Sequence, residues 1–525
     1  MRLKIRFFYW LSYALIALLV LSFFSVGLDV DYWAFLNSDT LYLPSLYKDL
    51  IIDEHAIKGW QFNAAPNFFP EMILYFIIMI FTGNFLLGNV IYAVVQVLIV
   101  LKLMSLIFKQ LIPDKYILLS TLANILFSIT FFIVLVNKAI DVPFYIVASA
   151  YHAGVFIMQL ACIILLLLYL KKEKVKYLYW MILLAVLAII SDKLFLFLFS
   201  IPLMGISLYI FILGDRKKVL KLTMANIVSV LLGLGIFQLI KWSEYVYFTE
   251  VPLQMSFESS IDSFWMMKKQ FVEYLLRFDL RSLFFVLAIL SFCGVVLLVY
   301  KQWKNRRVSE VIFFYFLYVI LFSVLVPMVP IVVGNYFGYD TLRYAISVMY
   351  FLLFNIPLVV FFLLRGTNLI GPIRLNLNWV LMPVLVVLIS FSVRFYDAKG
   401  MRNYLNYYPE DVRVVDEIAK KEGLKVGLAE YWNANLIHIL SRENLKVYPA
   451  YSELIPFFHS VNRSVYFDDD TVFDFVLIDN FLQPEKYNLH LEGKGVILPY
   501  EKVKIAKVPP FRISPYTHLP FLLKE

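Results

Sequence analysis

Long apolar runs recur along the chain near residues 7–27, 86–108, 116–137, 153–170, 176–191, 194–213, 219–239, 282–300, 309–331, 344–364 and 378–395. A helix needs about 20 apolar residues to cross the hydrocarbon core of a bilayer. These runs therefore predict about eleven transmembrane helices. Only Asp192-Lys193 separates the fifth run from the sixth, which predicts a tight hairpin with that charged pair at its tip. A further run, Phe68–Phe81, is about 14 residues long, a length that suits an interfacial or re-entrant helix. Three polar regions interrupt or follow the runs: residues 28–85, about 240–281, and 396–525. The second contains an amphipathic stretch, Phe264–Phe278, with the pattern of a helix lying on a membrane surface. In the third the period changes. Pro409–Gly423 has a helix start, helical periodicity and a glycine stop. Lys425–Ala429, Val472–Asp479 and Gly495–Leu498 read as buried strands between turn residues. Helices alternating with such strands predict a small α/β domain.

Composition fixes the class. Hydrophobic residues make up 62% of the 525 residues and charged residues 16%, and the mean hydropathy is +0.78. Soluble domains are about 45–50% apolar and about 25% charged. A soluble enzyme, a disordered scaffold and a disulfide-stapled secreted module are thereby excluded. The two cysteines, Cys162 and Cys293, lie inside apolar runs, so no disulfide framework is available. The net charge of +9 does not point to nucleic acid, because basic residues of membrane proteins collect on cytoplasmic loops. Arg2, Lys4 and Arg6, then Lys171, Lys172, Lys174 and Lys176, then Arg216, Lys217 and Lys218 fall on alternate loops when Phe68–Phe81 does not span. The N-terminus is therefore expected in the cytoplasm and the C-terminal domain outside. The expected fold is an all-α polytopic membrane domain, residues 1–395, followed by an outer-face α/β domain, residues 396–525.

The first outer region carries the candidate chemistry. Asp39, in Asn37-Ser38-Asp39-Thr40-Leu41-Tyr42, follows span one by about a dozen residues. A carboxylate at the membrane edge can take a proton from a hydroxyl or amine. It can equally cap a helix starting at Thr40. Glu71 ends the turn Ala65-Pro66-Asn67-Phe68-Phe69-Pro70-Glu71 and suits either a substrate hydrogen bond or a cap of the short helix. A later loop holds Asp141 and His152, and Arg343-Tyr344 leads into a late span.

In the order of these features the chain resembles the GT-C class of integral membrane glycosyltransferases. The resemblance rests on the acidic turn at Asp39, the Pro-rich segment into the short helix at Glu71, the loop Asn137–Gly154 with Asp141 and His152, Asp340-Thr341-Leu342-Arg343-Tyr344, and the outer α/β tail. It implies transfer of a sugar from a polyprenyl-phosphate carrier to a glycan, lipid or protein acceptor on the outer face of a membrane, expected to be a bacterial inner membrane. It implies Asp39 as general base and Asp141 as the second-loop acid. The departing phosphate needs cationic partners. Arg343 is the first candidate because guanidinium binds phosphate bidentately, and Lys193 is the second. No His-x-x-x-His pair or Cys cluster marks a metal site, and no cofactor beyond the lipid-linked sugar is expected.

Two other classes remain readable. A transporter or flippase calls for ionisable residues in mid-span and inverted repeats, and the runs hold almost none of the former and no repeat. A non-catalytic scaffold would keep the same loops.

Overall fold

The structure, a computed structural model, describes residues 2–137, 142–212, 216–250, 256–277, 280–305, 309–364, 377–451, 454–468, 471–478, 496–497 and 504–511. In chain order the helices are α1 (Arg2–Leu36), α2 (Tyr42–Tyr47), α3 (Ile73–Thr82), α4 (Phe85–Leu111), α5 (Tyr116–Asn137), α6 (Ala153–Lys172), α7 (Lys176–Ser191), α8 (Ile201–Ile212) and α9 (Arg216–Trp242). They continue as α10 (Phe257–Leu276), α11 (Leu280–Asn305), α12 (Glu310–Val332), α13 (Ile346–Leu364), α14 (Leu377–Phe395), α15 (Ala398–Leu405), α16 (Glu410–Glu422) and α17 (Tyr431–Leu440). The strands are β1 (Trp60–Phe62), β2 (Tyr247–Phe248), β3 (Val426–Ala429), β4 (Lys446–Pro449), β5 (Val461–Asn462), β6 (Phe473–Ile478), β7 (Val496–Ile497) and β8 (Lys504–Phe511).

Among the described residues, 8 helical segments are long and apolar enough to cross a membrane, carried by α1, α4, α5, α6, α9, α11, α12 and α13. Four more apolar helices are shorter: Phe68–Thr82, Lys176–Ser191, Leu196–Ile212 and Met382–Phe395. Large apolar side chains such as Leu208, Leu231, Leu239 and Leu290 stand exposed on the outside of the bundle, as they do in a helical membrane protein whose solvent there is lipid.

Several local expectations need revising. Helix α1 does not stop near Gly27 but runs on to Leu36, so Asp29 sits exposed on the helix rather than in a loop. Every residue of α2 is buried. α7 packs on α6 and α9, while α8 packs on α9 and α12. The two do not form the expected hairpin. The short helix α3 does have one lipid-type face: Ile73, Ile77 and Ile80 are exposed, and Tyr75, Ile78 and Met79 are buried. Helix α10 is inverted relative to a soluble helix. It buries Ser263, Gln270 and Tyr274 and exposes Phe257, Trp265 and Leu276.

The tail forms a five-stranded sheet in the order β4-β3-β6-β8-β7. β3 runs parallel to β4 and β6, and β8 runs antiparallel to β6 and β7. α16 ends on Gly423 in the left-handed region (φ 73°), which a residue without a Cβ adopts at little cost. A second sheet, β2-β1-β5, joins the three long polar regions: β1 from the first, β2 from the second and β5 from the tail. These regions therefore lie at one end of the bundle. α15 packs against α1, with Gly400 tight against the Ser25 carbonyl.

A buried polar cluster also fastens the tail to the first loop. Lys48 Nζ lies 2.9 Å from Asp53 Oδ2, and His438 Nε2 of α17 lies 3.7 Å from the same oxygen. Asp49 accepts from Trp60 Nε1 at 2.5 Å and lies 2.6 Å from His55 Nδ1.

Candidate active site

Where α1 ends, the chain turns over residues 37–41. Thr40 N donates to Asn37 Oδ1 at 2.9 Å, and Thr40 Oγ1 donates back to the Asn37 carbonyl at 2.8 Å. This is an Asx-type turn, in which the side chain of Asn37 stands in for a backbone acceptor. The Asp39 carboxylate takes no part in it. Nor does Asp39 cap α2, whose N-cap is Leu41 with no side-chain bond. The carboxylate is left projecting, with its side chain 31% exposed.

Three elements aim polar groups at it. Tyr431, the first residue of α17, donates its hydroxyl to Asp39 Oδ1 at 3.3 Å. Ser38 fixes that helix end by donating to the Tyr431 carbonyl at 2.8 Å. Arg343 comes from the 3₁₀ turn Tyr339–Ala345 that precedes α13. Its Nη1 lies 3.7 Å from Asp39 Oδ2, an ion pair too long to be a hydrogen bond. The guanidinium lies over the rings of Tyr151 and Tyr344, at 5.7 and 5.4 Å, and its Nε is buried without a hydrogen-bond partner. His459 closes the tail side. Its ring lies 5.1 Å from that of Tyr431, and its Nδ1 lies 3.1 Å from Thr249 Oγ1. Burial pushes His459 below its ordinary value, with the Asp39 carboxylate opposing. Burial and then Asp39 push the phenols of Tyr151 and Tyr431 upward, which keeps both as neutral donors.

A second group adjoins through Tyr344, whose ring is 4.8 Å from that of His152. His152 is the N-cap of α6, in the left-handed region at φ 65°. Its Nδ1 lies 2.5 Å from Asp192 Oδ2. Glu71 is buried and accepts from Gly154 N at 3.1 Å. It thus caps α6 rather than its own short helix. A Cβ on Gly154 would fall 2.4 Å from Glu71 Cγ, so only glycine lets the carboxyl reach this helix end. Burial pushes Glu71 up to about 8, against the Gly154 N–H and with a contribution from Asp192.

Asp192 and Lys193 do not pair with each other. Asp192 turns inward to His152, and Lys193 turns outward over the Phe237 ring at 4.0 Å. Burial, then Lys241, lowers the Lys193 ammonium, with Glu250 opposing. Asp39 and Arg343 are therefore brought together, and Glu71 and His152 lie behind them. Lys193 faces elsewhere. Asp141 lies outside the described residues. Tyr431 and His459 carry no motif in the sequence, since both reach the site through the packing of the tail. Among the described residues, no three His, Cys, Asp or Glu side chains gather so as to hold a metal ion. No protein-family model and no curated protein matches this chain.

Proposed function

We propose that the protein is a membrane glycosyltransferase of the GT-C type, transferring a sugar from a polyprenyl phosphate with inversion at the anomeric carbon. The observation that carries this reading is the Asp39–Arg343 pair. A half-exposed carboxylate and a guanidinium face each other without closing a hydrogen bond, and Arg343 keeps a buried Nε–H with no partner. An unpartnered buried donor is costly, and an oxyanion of the donor's phosphate would satisfy it. In the reaction the acceptor oxygen forms a bond to the anomeric carbon as the bond from that carbon to the phosphate oxygen breaks. The acceptor proton passes to Asp39, and the bonding electrons leave on the phosphate beside Arg343. Asp39 supplies the base. Arg343 stabilises the charge that develops on the leaving group. Tyr431 and Tyr151 hold the pair in register. Asp141 is the proposed second acid, and His152 and Glu71 form the wall behind.

In this reading the chain makes eleven spans, with the N-terminus in the cytoplasm and the joined loops and tail on the outer face. The eight long helices, the shorter apolar helices Lys176–Ser191, Leu196–Ile212 and Met382–Phe395, and the gathering of all three polar regions at one end support that arrangement. Cysteines placed at Gly423 and Lys172 test it. An impermeant reagent should label the first and spare the second, and the reverse pattern would invert the topology.

The function is tested in proteoliposomes with radiolabelled polyprenyl-phosphate monosaccharides of several sugars. The wild type should bind long-chain polyprenyl phosphate and release labelled sugar from at least one donor. Arg343→Lys should lose about 10²–10³-fold in turnover, because a point charge does not replace a planar fork. A wild-type protein that neither binds polyprenyl phosphate nor cleaves any of these donors would end the proposal.

A further inference from the structure

Beneath the Asp39 turn lies a cavity of about 20 Å³ between α1, α4 and α15. Phe24, Phe35 and Phe144 form part of its walls, and Thr40 and Ser149 form its edge on the Asp39 side. Ser149 Oγ donates to the Thr40 carbonyl at 3.2 Å. Three further polar groups line it: Asn89 and Tyr92 on α4, and Tyr404 on α15. All three residues are at least nine-tenths buried, at 9%, 1% and 0% exposure. Asn89 Oδ1, Tyr92 OH and Tyr404 OH each lack a well-aligned hydrogen-bond partner in the protein, although the Tyr92 hydroxyl is near enough to the Glu71 carboxyl to interact with it. Asn89 and Tyr404 are near enough to influence one another, yet the Asn89 oxygen and the phenol do not align into a bond.

Three residues with unsatisfied polar groups line one cavity and together make a candidate hydrogen-bonding site. Each would otherwise carry a desolvation cost of about 1–3 kcal/mol. The volume decides the guest. One water needs roughly 10–15 Å³, which this cavity of about 20 Å³ offers. The chemistry matches as well. Asn89 Oδ1 only accepts, whereas each phenol can donate or accept. A water donating to Asn89 and to one phenol, and accepting from the other, satisfies all three.

We infer that this cavity is a binding site for one structural water bridging Asn89, Tyr92 and Tyr404. The water ties α15, the first helix after the last apolar run, to α4 and to the floor of the Asp39 turn. It would do so whatever the protein catalyses.

The test turns on a sign. In a hydrated site, Tyr404→Phe removes a partner from the water and leaves Asn89 and Tyr92 less well satisfied. The thermal midpoint should then fall, by about 2 °C for a loss near 1 kcal/mol in a chain of this size. In a dry site the same change removes a buried unpaired hydroxyl, so the midpoint should stay level or rise. Tyr92→Phe should follow the same sign. High-resolution electron cryomicroscopy of the wild-type protein in nanodiscs gives the second measurement. It should show one density within about 2.7–3.2 Å of the three atoms. A level or raised midpoint in both variants, or a wild-type map resolved well enough to show ordered water elsewhere but none here, overturns the inference.

Discussion

Two polar clusters join the first loop to the tail, and they are built in opposite ways. In one, Lys48 and Asp53 meet at 2.9 Å with side chains 8% and 11% exposed. In the other, Arg343 and Asp39 stand 3.7 Å apart and are 30% and 31% exposed. The first pair is desolvated, short and completed by His438. Breaking such a pair leaves a bare charge in the interior. The second is loose and half-wet, and an exposed ion pair of that length contributes little to stability. Nothing in the energetics of folding calls for Asp39 and Arg343 to face each other. The tight cluster holds the tail in place, and the loose one is what the tail is held over.

The largest effect should come from the loose pair. On the proposed reading, Asp39→Asn removes the proton acceptor, while the turn at Asn37–Thr40 stays intact because the Asp39 side chain does not contribute to it. Transfer should fall about 10²–10⁴-fold with an unchanged melting curve. Wild-type turnover in the asparagine protein would show that Asp39 is not the base.

Lys48→Met should do the reverse. It leaves Asp53 buried without its cation and should cost about 3–5 kcal/mol, read as a large drop in thermal midpoint or as loss of folded protein. A well-folded Lys48→Met protein would mean that water reaches this cluster.

His438 gives a smaller effect that depends on pH. Burial, then Lys48, Lys446 and His55, push its imidazole well below the ordinary 6.5. The Asp53 carboxylate it faces is already taken by Lys48. The native state therefore excludes a proton that the unfolded chain binds. Stability should fall as pH drops below about 6.5, by about 1.4 kcal/mol per unit for one proton. Comparing thermal midpoints of wild type and His438→Gln from pH 7.5 to 5 isolates this contribution. Parallel curves would exclude it.

The smallest effect should come from Tyr431→Phe. It removes one long hydrogen bond to Asp39, worth about 1 kcal/mol. A change of about five-fold in turnover is expected, with no change in fold. A loss as large as that of Asp39→Asn would promote Tyr431 from positioning to the chemistry itself.

The sequence exposed the membrane helices because burial in lipid requires long apolar runs, and each run is helical where described. Glycine and charge marked α16 and its stop at Gly423. The pairing of Asp39 with Arg343 was foreseen only as two separate candidates, because nothing local links positions so far apart. Tyr431 and His459 were invisible, since a tyrosine at a helix start and a lone histidine have no distinguishing neighbours. The adjacent residues Asp192 and Lys193 show the limit from the other side. Adjacent opposite charges invite pairing, but the backbone sends one side chain inward to His152 and the other outward to Phe237.

The sheet β2-β1-β5 has a consequence for how the molecule comes into being. Its strands are supplied early, midway and late in synthesis, and the Tyr431–Asp39 bond spans 392 residues. Closing so long a loop delays the final pairing until nearly all of the chain has been made. The growing protein would thus pass through the membrane with its first loop exposed and Asp39 unattended. Only when the tail docks does the carboxylate gain the Tyr431 hydroxyl as donor. A nascent chain stalled before residue 431 would carry every long apolar helix described here and still lack the Tyr431 donor to Asp39, so docking of the tail is what completes the polar surroundings of the first loop.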